Sequence, residues 1–294
     1  MKRAISLALL LFLLAGPAQA DGIGADGARH LLNRTGFEAR LDEIETFAKL
    51  SRGEAVELLL AGAQISARTP APEWVNDWQS PRGLRQASAE ERMKYQAELF
   101  RRALELKNWW MREMLTTPSP LTERMTLFWH NHFTSSLQKV RSANLVYRQN
   151  LLLRRHALGN FGELLHAASK DPAMLVYLDS AASRRGQPNE NFAREVMELF
   201  TLGEGKYAET DIKEAARAFT GWSVNPDSGE FLWRPFAHDD GVKSVLGRTG
   251  NLRGEDVLDV LLAQSATAEF VTAKLWREFV SPAPSSDAER RDAA

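Results

Sequence analysis

The sequence predicts an all-α protein, an irregular multi-helix domain with one short β-hairpin near residues 222–233. Three observations predict it. Apolar residues recur at steps of three and four along most of the chain, the spacing that lines one face of a helix. Polar caps, N1 prolines and terminal glycines punctuate these runs where helices start and stop. A single pair of short segments reads as strand, too little for a sheet-based fold. The 294 residues are 44% hydrophobic and 26% charged, enough to bury a large core and unlike a disordered chain.

The first twenty residues read as an address. Met1-Lys2-Arg3 is a basic n-region, Ala4–Ala15 an apolar h-region, and Ala18-Gln19-Ala20 the small-x-small cleavage pattern of a signal peptide. The apolar run is nearer 12 residues than the ~20 a membrane span needs, and Gly16-Pro17 breaks it. Cleavage after Ala20 is expected to leave a periplasmic or secreted chain with no transmembrane segment. Its helical domain is expected over residues 21–281, followed by a polar tail over 282–294. The whole chain carries a net −1, and loss of Lys2 and Arg3 makes it −3. Such a balance speaks against nucleic acid as a partner. With no cysteine, disulfides, thiolate metal sites and cysteine nucleophiles are excluded.

Short helices are expected over Ala28–Thr35, Leu41–Leu50 and Glu54–Ala61, and an irregular proline-rich loop over Ser66–Arg85. Ser88 with Glu91 forms a capping box for a long helix to Thr116, with Tyr95, Leu99, Ala103, Leu106, Trp110 and Met114 on one face. Ser119-Pro120 starts the next helix. Asn144–His156, Phe161–Lys170 and a helix from Asp171-Pro172 to Asp179 follow, then a polar break over Ser180–Pro188. Glu190–Leu202 reads as one strong helix ended by Gly203. Asp211 with Glu214 caps another as far as Gly221. Trp222–Val224 and Glu230–Trp233 form the hairpin, His238–Gly250 a loop, and Glu255–Ala263 and Thr267–Val280 the last helices.

Three polar clusters could carry chemistry. In Phe128–Phe133, His130 and His132 could share a metal if extended, but on a helix they diverge by roughly 200° and only one serves a given site. Core packing of one and terminal placement of the other is the plainer alternative. In Asn189–Phe200, a regular helix puts Asn191, Glu195 and Glu198 on one face and Phe192, Val196 and Leu199 on the next. Paired carboxylates there could hold a cation or raise one another's pKa. Alternatively, Glu190–Arg194–Glu198 is an i,i+4 ladder that only supports the helix. The third cluster, His238-Asp239-Asp240-Gly241-Val242-Lys243, is either a ligand-bearing loop or a turn. Trp74 and Trp78 in the proline-rich loop are the tryptophans expected to be exposed, and a carbohydrate could stack on them.

The chain resembles the exported bacterial family known as domain of unknown function 1800. The resemblance runs from Ala28–Phe37 through Leu127–Phe133, Asp171–Leu175 and Tyr177–Asp179. It is most specific over Pro188–Gly203 and Ala215–Trp222, and continues through His238, Asp239, Gly241 and Lys243 to Lys274-Leu275-Trp276. Members usually extend further, so the chain looks like an N-terminal portion or a truncated member. Ala208 stands where the family usually has Thr, and Asp211 is expected to cap the following helix in its stead. The resemblance implies an exported helical protein, with a sulfatase- or phosphatase-like exported protein as a partner. It also adds weight to the polar clusters.

The expected site combines Glu195, Glu198 and His132 as catalytic groups with His130, Glu190, His238 and Asp239 as ligands of a divalent metal ion. Asn189, Asn191, Arg194, Asp179 and Lys243 complete it. Metal-assisted hydrolysis of cell-envelope or extracellular material is the enzymatic expectation. A non-enzymatic envelope assembly or binding protein with structural polar clusters is the alternative.

Overall fold

The computed structural model describes residues 22–282, so the expected signal peptide and nearly all of the polar tail lie outside the described residues. The predicted all-α class holds. In chain order the helices are α1 (Gly24–Thr35), α2 (Leu41–Phe47), α3 (Arg52–Ala61), α4 (Ala89–Thr116), α5 (Pro120–His132), α6 (Leu137–Val140), α7 (Ala143–Arg155), α8 (Phe161–Ser169) and α9 (Pro172–Tyr177). Then come α10 (Glu190–Glu195), α11 (Glu209–Ala218), α12 (Gly254–Leu262) and α13 (Ser265–Phe279). Strands β1 (Trp222–Val224) and β2 (Phe231–Trp233) pair antiparallel in the register Trp222↔Trp233, making the expected hairpin. No helix among the described residues is long and apolar enough to cross a membrane.

Caps fall where hydroxyl and carboxyl side chains invite them. Ser88 accepts from the Glu91 amide and opens α4, while Ser51 and Ser142 do the same for α3 and α7. Asp171 accepts from the Met174 amide to open α9. At α11, Asp211 accepts from the Ala208 amide, so it acts from three residues inside the helix and does not itself occupy the cap position.

Three departures from the expected elements have physical causes. The loop over Ser66–Arg85 contains two 3₁₀ turns, Glu73–Asn76 and Pro81–Arg85, because its prolines suit tight turns without a full helix. Part of the loop expected over His238–Gly250 is a second hairpin, β3 (Lys243–Val245) with β4 (Arg248–Gly250), closed by Leu246 and Gly247 at positive φ. The helix expected over Glu190–Leu202 changes at Val196 into a π-helical turn, Val196–Thr201, with the Leu202 amide bonded to the Met197 carbonyl five residues back. The wider turn shifts the faces. Met197 and Phe200 are buried with Phe192 and Val196, whereas Leu199, placed on the same face as Phe192 and Val196 by a regular helix, is exposed.

The largest apolar core gathers α5 and α7–α13 around Phe133, Leu153, Leu165, Met174, Phe192 and Trp222. A small cluster of Ala28, Leu32, Ile44, Phe47 and Ala55 holds α1–α3 together. A third packs Trp74, Leu106, Trp109, Ala143 and Tyr147 between α4, α7 and the proline-rich loop. Trp74 is thus buried, contrary to expectation. Its Nε1 donates to Glu105 at 2.6 Å and Tyr147 meets its ring edge-on.

At the crossing of α4, α5 and α7 lies a fully buried ion pair. Arg154 donates through Nε and Nη2 to the two oxygens of Glu123, at 2.5 and 3.0 Å. Trp110 also donates to Glu123, and the Arg154 guanidinium lies 5.3 Å from the centre of the Trp109 ring. Removing one member strands the other in the core, which costs about 3–5 kcal/mol, whereas an apolar pair of similar volume can be neutral. Urea denaturation should therefore show Glu123→Leu and Arg154→Met each losing about that much. The double variant should recover most of it.

Candidate functional site

Each predicted cluster can be followed from its helix to its contacts. His130 and His132 both end up on α5 and diverge, as a helix requires. His130 meets Trp110 edge-on with centroids 5.0 Å apart, and burial lowers its pKa. His132 is in the core. Its Nε2 donates to the Phe200 carbonyl at 3.0 Å, so Nδ1 is the acceptor facing the Lys274 ammonium at 3.2 Å. Burial, then the Lys274 charge, pull its pKa down to about 3, and it is a neutral imidazole at physiological pH. Lys274 also donates to the Leu199 carbonyl at 2.9 Å. The π turn offers both of these carbonyls, so this histidine and lysine secure the end of an irregular helix.

The second cluster is pulled apart by its partners. Asn189 caps α10 through the Asn191 amide and donates to the Asp179 carbonyl at 3.0 Å. Asn191 donates to the Leu178 carbonyl at 3.3 Å. The two amides thereby clasp the end of α9, where Asp179 holds a left-handed backbone (φ 58°) and an ion pair with Lys139. The Glu190–Arg194–Glu198 ladder does not form as expected. Arg194 makes a two-pronged pair with Glu209 at 2.7 and 2.9 Å, stands 3.7 Å from Glu190, and leaves Glu198 to accept from the Tyr207 hydroxyl. Burial and this carboxylate push Tyr207 up to about 12. Glu195 is half-buried, with its pKa raised first by burial and then by Glu198, against a smaller lowering by Arg194.

In the third cluster His238, Asp239 and Lys243 also turn inward, while Asp240 stays exposed beside Arg185. Gly221 has φ +90°, and a Cβ there would stand 2.8 Å from the Arg234 carbonyl oxygen and 2.9 Å from the Trp233 ring. That close approach sets Thr220 beside His238. The His238 Nδ1 donates to the Thr220 carbonyl at 2.9 Å, leaving a buried Nε2 lone pair without a partner among the described residues. Asp239 accepts both prongs of Arg217 at 2.9 and 3.0 Å and the Gly241 amide, and the guanidinium above all holds its pKa down to about 2. Lys243 is buried and donates to the Gly241 carbonyl at 3.0 Å. Burial lowers its pKa.

Among the described residues, no three His, Asp or Glu side chains form a group that could hold a metal ion. His130, Glu190, His238 and Asp239 are therefore not brought together as one ligand set. The reason is visible in their partners, since Asp239 is held by Arg217 and His238 by Thr220.

A different place has the form of a binding site. A cavity of about 500 Å³ opens between the first half of α4, the start of α7, α9 and the β1–β2 hairpin. Its walls include Trp78, Leu99, Val140, Leu145, Val176 and Val224, and its polar groups include Tyr95, Gln96, Arg102, Arg141 and Asn144. Asn144 donates to the Trp74 and Val75 carbonyls, and Arg102 binds the Asp77 carbonyl at 2.9 Å, so the wall from the proline-rich loop is fixed. Tyr95 and Leu99 belong to the predicted core face of α4, yet both stay half-exposed because that face borders the cavity. Arg141 has no motif to reveal it. By contrast Asp171, Arg217 and Lys274 lie inside the stretches that carried the family resemblance.

A family model described as "Protein of unknown function (DUF1800)" matches residues 30–294. No curated protein and no solved structure matches the chain.

Asp171 provides a test of this buried polar architecture. It is buried, accepts from Gln149 at 2.8 Å and from the Met174 amide, and burial raises its pKa to about 7. The folded state therefore binds more protons than the unfolded one, whose carboxyl titrates near ~4. This group's contribution is fully favourable below about pH 4 and is lost as pH rises through about 7. Thermal melts of Asp171→Asn and the parent should diverge in slope over that window, the variant lacking the decline. Parallel pH profiles would contradict the assignment.

Proposed function

The chain belongs to the DUF1800 family, and from that premise we propose that it is an exported, non-enzymatic binding protein of the cell envelope, with the α4–α7 cavity as its site. One observation carries this reading. The polar residues of the family resemblance are largely bonded to the protein's own backbone and ion pairs, while the cavity combines an apolar wall with a few convergent polar groups. Its volume of about 500 Å³ lies in the range typical of small-molecule sites. Export is supported by the n-, h- and c-regions of residues 1–20.

Under this reading His132, the asparagines and Asp239 specify the fold through the bonds they make to backbone and to Arg217, as satisfied networks do. A second reading, hydrolysis by general acid–base chemistry, has Glu195 in its favour: a half-buried carboxyl that makes no hydrogen bond or ion pair among the described residues and has a raised pKa. Glu195→Gln is expected to change stability alone. Loss of a measurable hydrolytic activity in that variant would favour the second reading.

The neutral fluorophore N-phenyl-1-naphthylamine tests the binding site. It should bind the exported chain saturably at one molecule per chain, and Leu99→Trp or Val176→Phe should abolish binding while thermal midpoints stay within a few degrees. No saturable binding, or binding undiminished in both folded variants, would overturn the assignment.

A further inference from the structure

We propose that the cavity binds an amphipathic monoanion, a carboxylate on an apolar body, with Arg141 as the residue that recognises the charge; the inference rests on the binding-site reading above. The cations around the cavity are not equivalent. Arg102 is buried and already neutralised, pairing with Glu98 at 2.6 Å and with Asp77. Arg148 donates to the Ser228 carbonyl at 3.1 Å and lies 5.9 Å from the centre of the Trp78 ring. Arg141 is different. It lines the cavity, which Arg148 does not, it forms no ion pair among the described residues, and its guanidinium makes one hydrogen bond, to the Gln96 side chain at 2.9 Å.

Its position is fixed by the backbone. Arg141 ends α6 in a left-handed conformation (φ 54°, ψ 31°), an unfavourable one for a side chain with a Cβ. That turn sets the guanidinium at the junction of two depressions. The second, about 330 Å³, shares Gln96, Leu99, Arg141 and Ser142 with the first and continues along α4 past Phe100 and Leu104. Both of these are exposed, so the apolar trough extends beyond the main cavity.

The chemistry at the junction suits a carboxylate. A guanidinium presents a planar fork of donors that matches its two oxygens. The Tyr95 hydroxyl, which feels the charges of both Arg141 and Arg102, adds a donor, and α7 opens at the cavity edge with Ser142 as its cap. Of the two cations lining the main cavity among the described residues, Arg102 is paired and Arg141 is not, so the site there offers one charge and calls for one negative charge. Leu99, Leu145 and Val176 offer nothing polar to the part of the ligand that lies against them, which is therefore apolar.

The test compares 11-(dansylamino)undecanoic acid with its methyl ester by fluorescence titration of the full exported chain. The acid should bind about tenfold more tightly than the ester, the size of one charge-assisted hydrogen-bonded pair. Arg141→Gln should bring the acid to the affinity of the ester and leave the ester unchanged, and Arg141→Lys should restore part of the difference. Equal affinities in the parent, or a preference that survives Arg141→Gln in a folded variant, would overturn the role of Arg141 while leaving the cavity as a site. Failure of both ligands to bind would remove the site itself.

Discussion

The placement of α4 against α5 and α7 depends on the buried guanidinium of Arg154. It meets the Glu123 carboxylate and the Trp109 ring, and its charge acts on Glu113, which accepts from the Arg68 and Thr69 amides at 2.9 and 2.6 Å. Three helices and the start of the proline-rich loop therefore answer to one charge. An ion taken out of water is tolerated only with its partners in place, so these elements have little freedom to slide. The cavity lies farther along the same two helices, bounded by the first half of α4 and the first turn of α7. Its shape is a consequence of that crossing.

The same logic explains the polar signature. Buried amides, imidazoles and carboxylates are costly unless bonded, and here they are spent on irregular backbone. His132 and Lys274 take up carbonyls of the π turn, Asn189 and Asn191 take up those at the end of α9, and Lys243 takes up the Gly241 carbonyl. A helical protein with many short helices has many loose ends of this kind. Residues that satisfy them look like a catalytic constellation in one dimension and like caps and clasps in three.

Much of the fold was legible because helix starts are local. Ser88, Asn160 and Asp171 mark their helices by side chains that accept an amide within the first turn, Pro120 marks its own as a first-turn proline, and the Trp222–Trp233 hairpin is equally local. The π turn was not legible, since the side chains that bond its carbonyls, His132 and Lys274, lie 68 and 75 residues from those carbonyls in sequence, and with it went the face that a regular helix gives Leu199. The site divided in the same way. The divergence of His130 and His132 followed from helical geometry alone. The partners that disperse the acidic cluster, Glu209 for Arg194 and Tyr207 for Glu198, and Arg217 for Asp239, could be found only in the folded chain. Arg141 carries no sequence signature because its role depends on a left-handed turn and on walls contributed by α4, α9 and the hairpin.

On the function proposed above, the cavity, and not the acidic and histidine clusters, is where this protein meets its ligand. Methyl-labelled NMR of the purified chain, titrated with dodecanoate, addresses it directly. Saturable shifts of the Leu99, Leu145 and Val176 methyl groups are expected, with those of Val196 and Met197 beside Glu195 unmoved. Shifts confined to Val196 and Met197, or no saturable shift at the cavity, would contradict it.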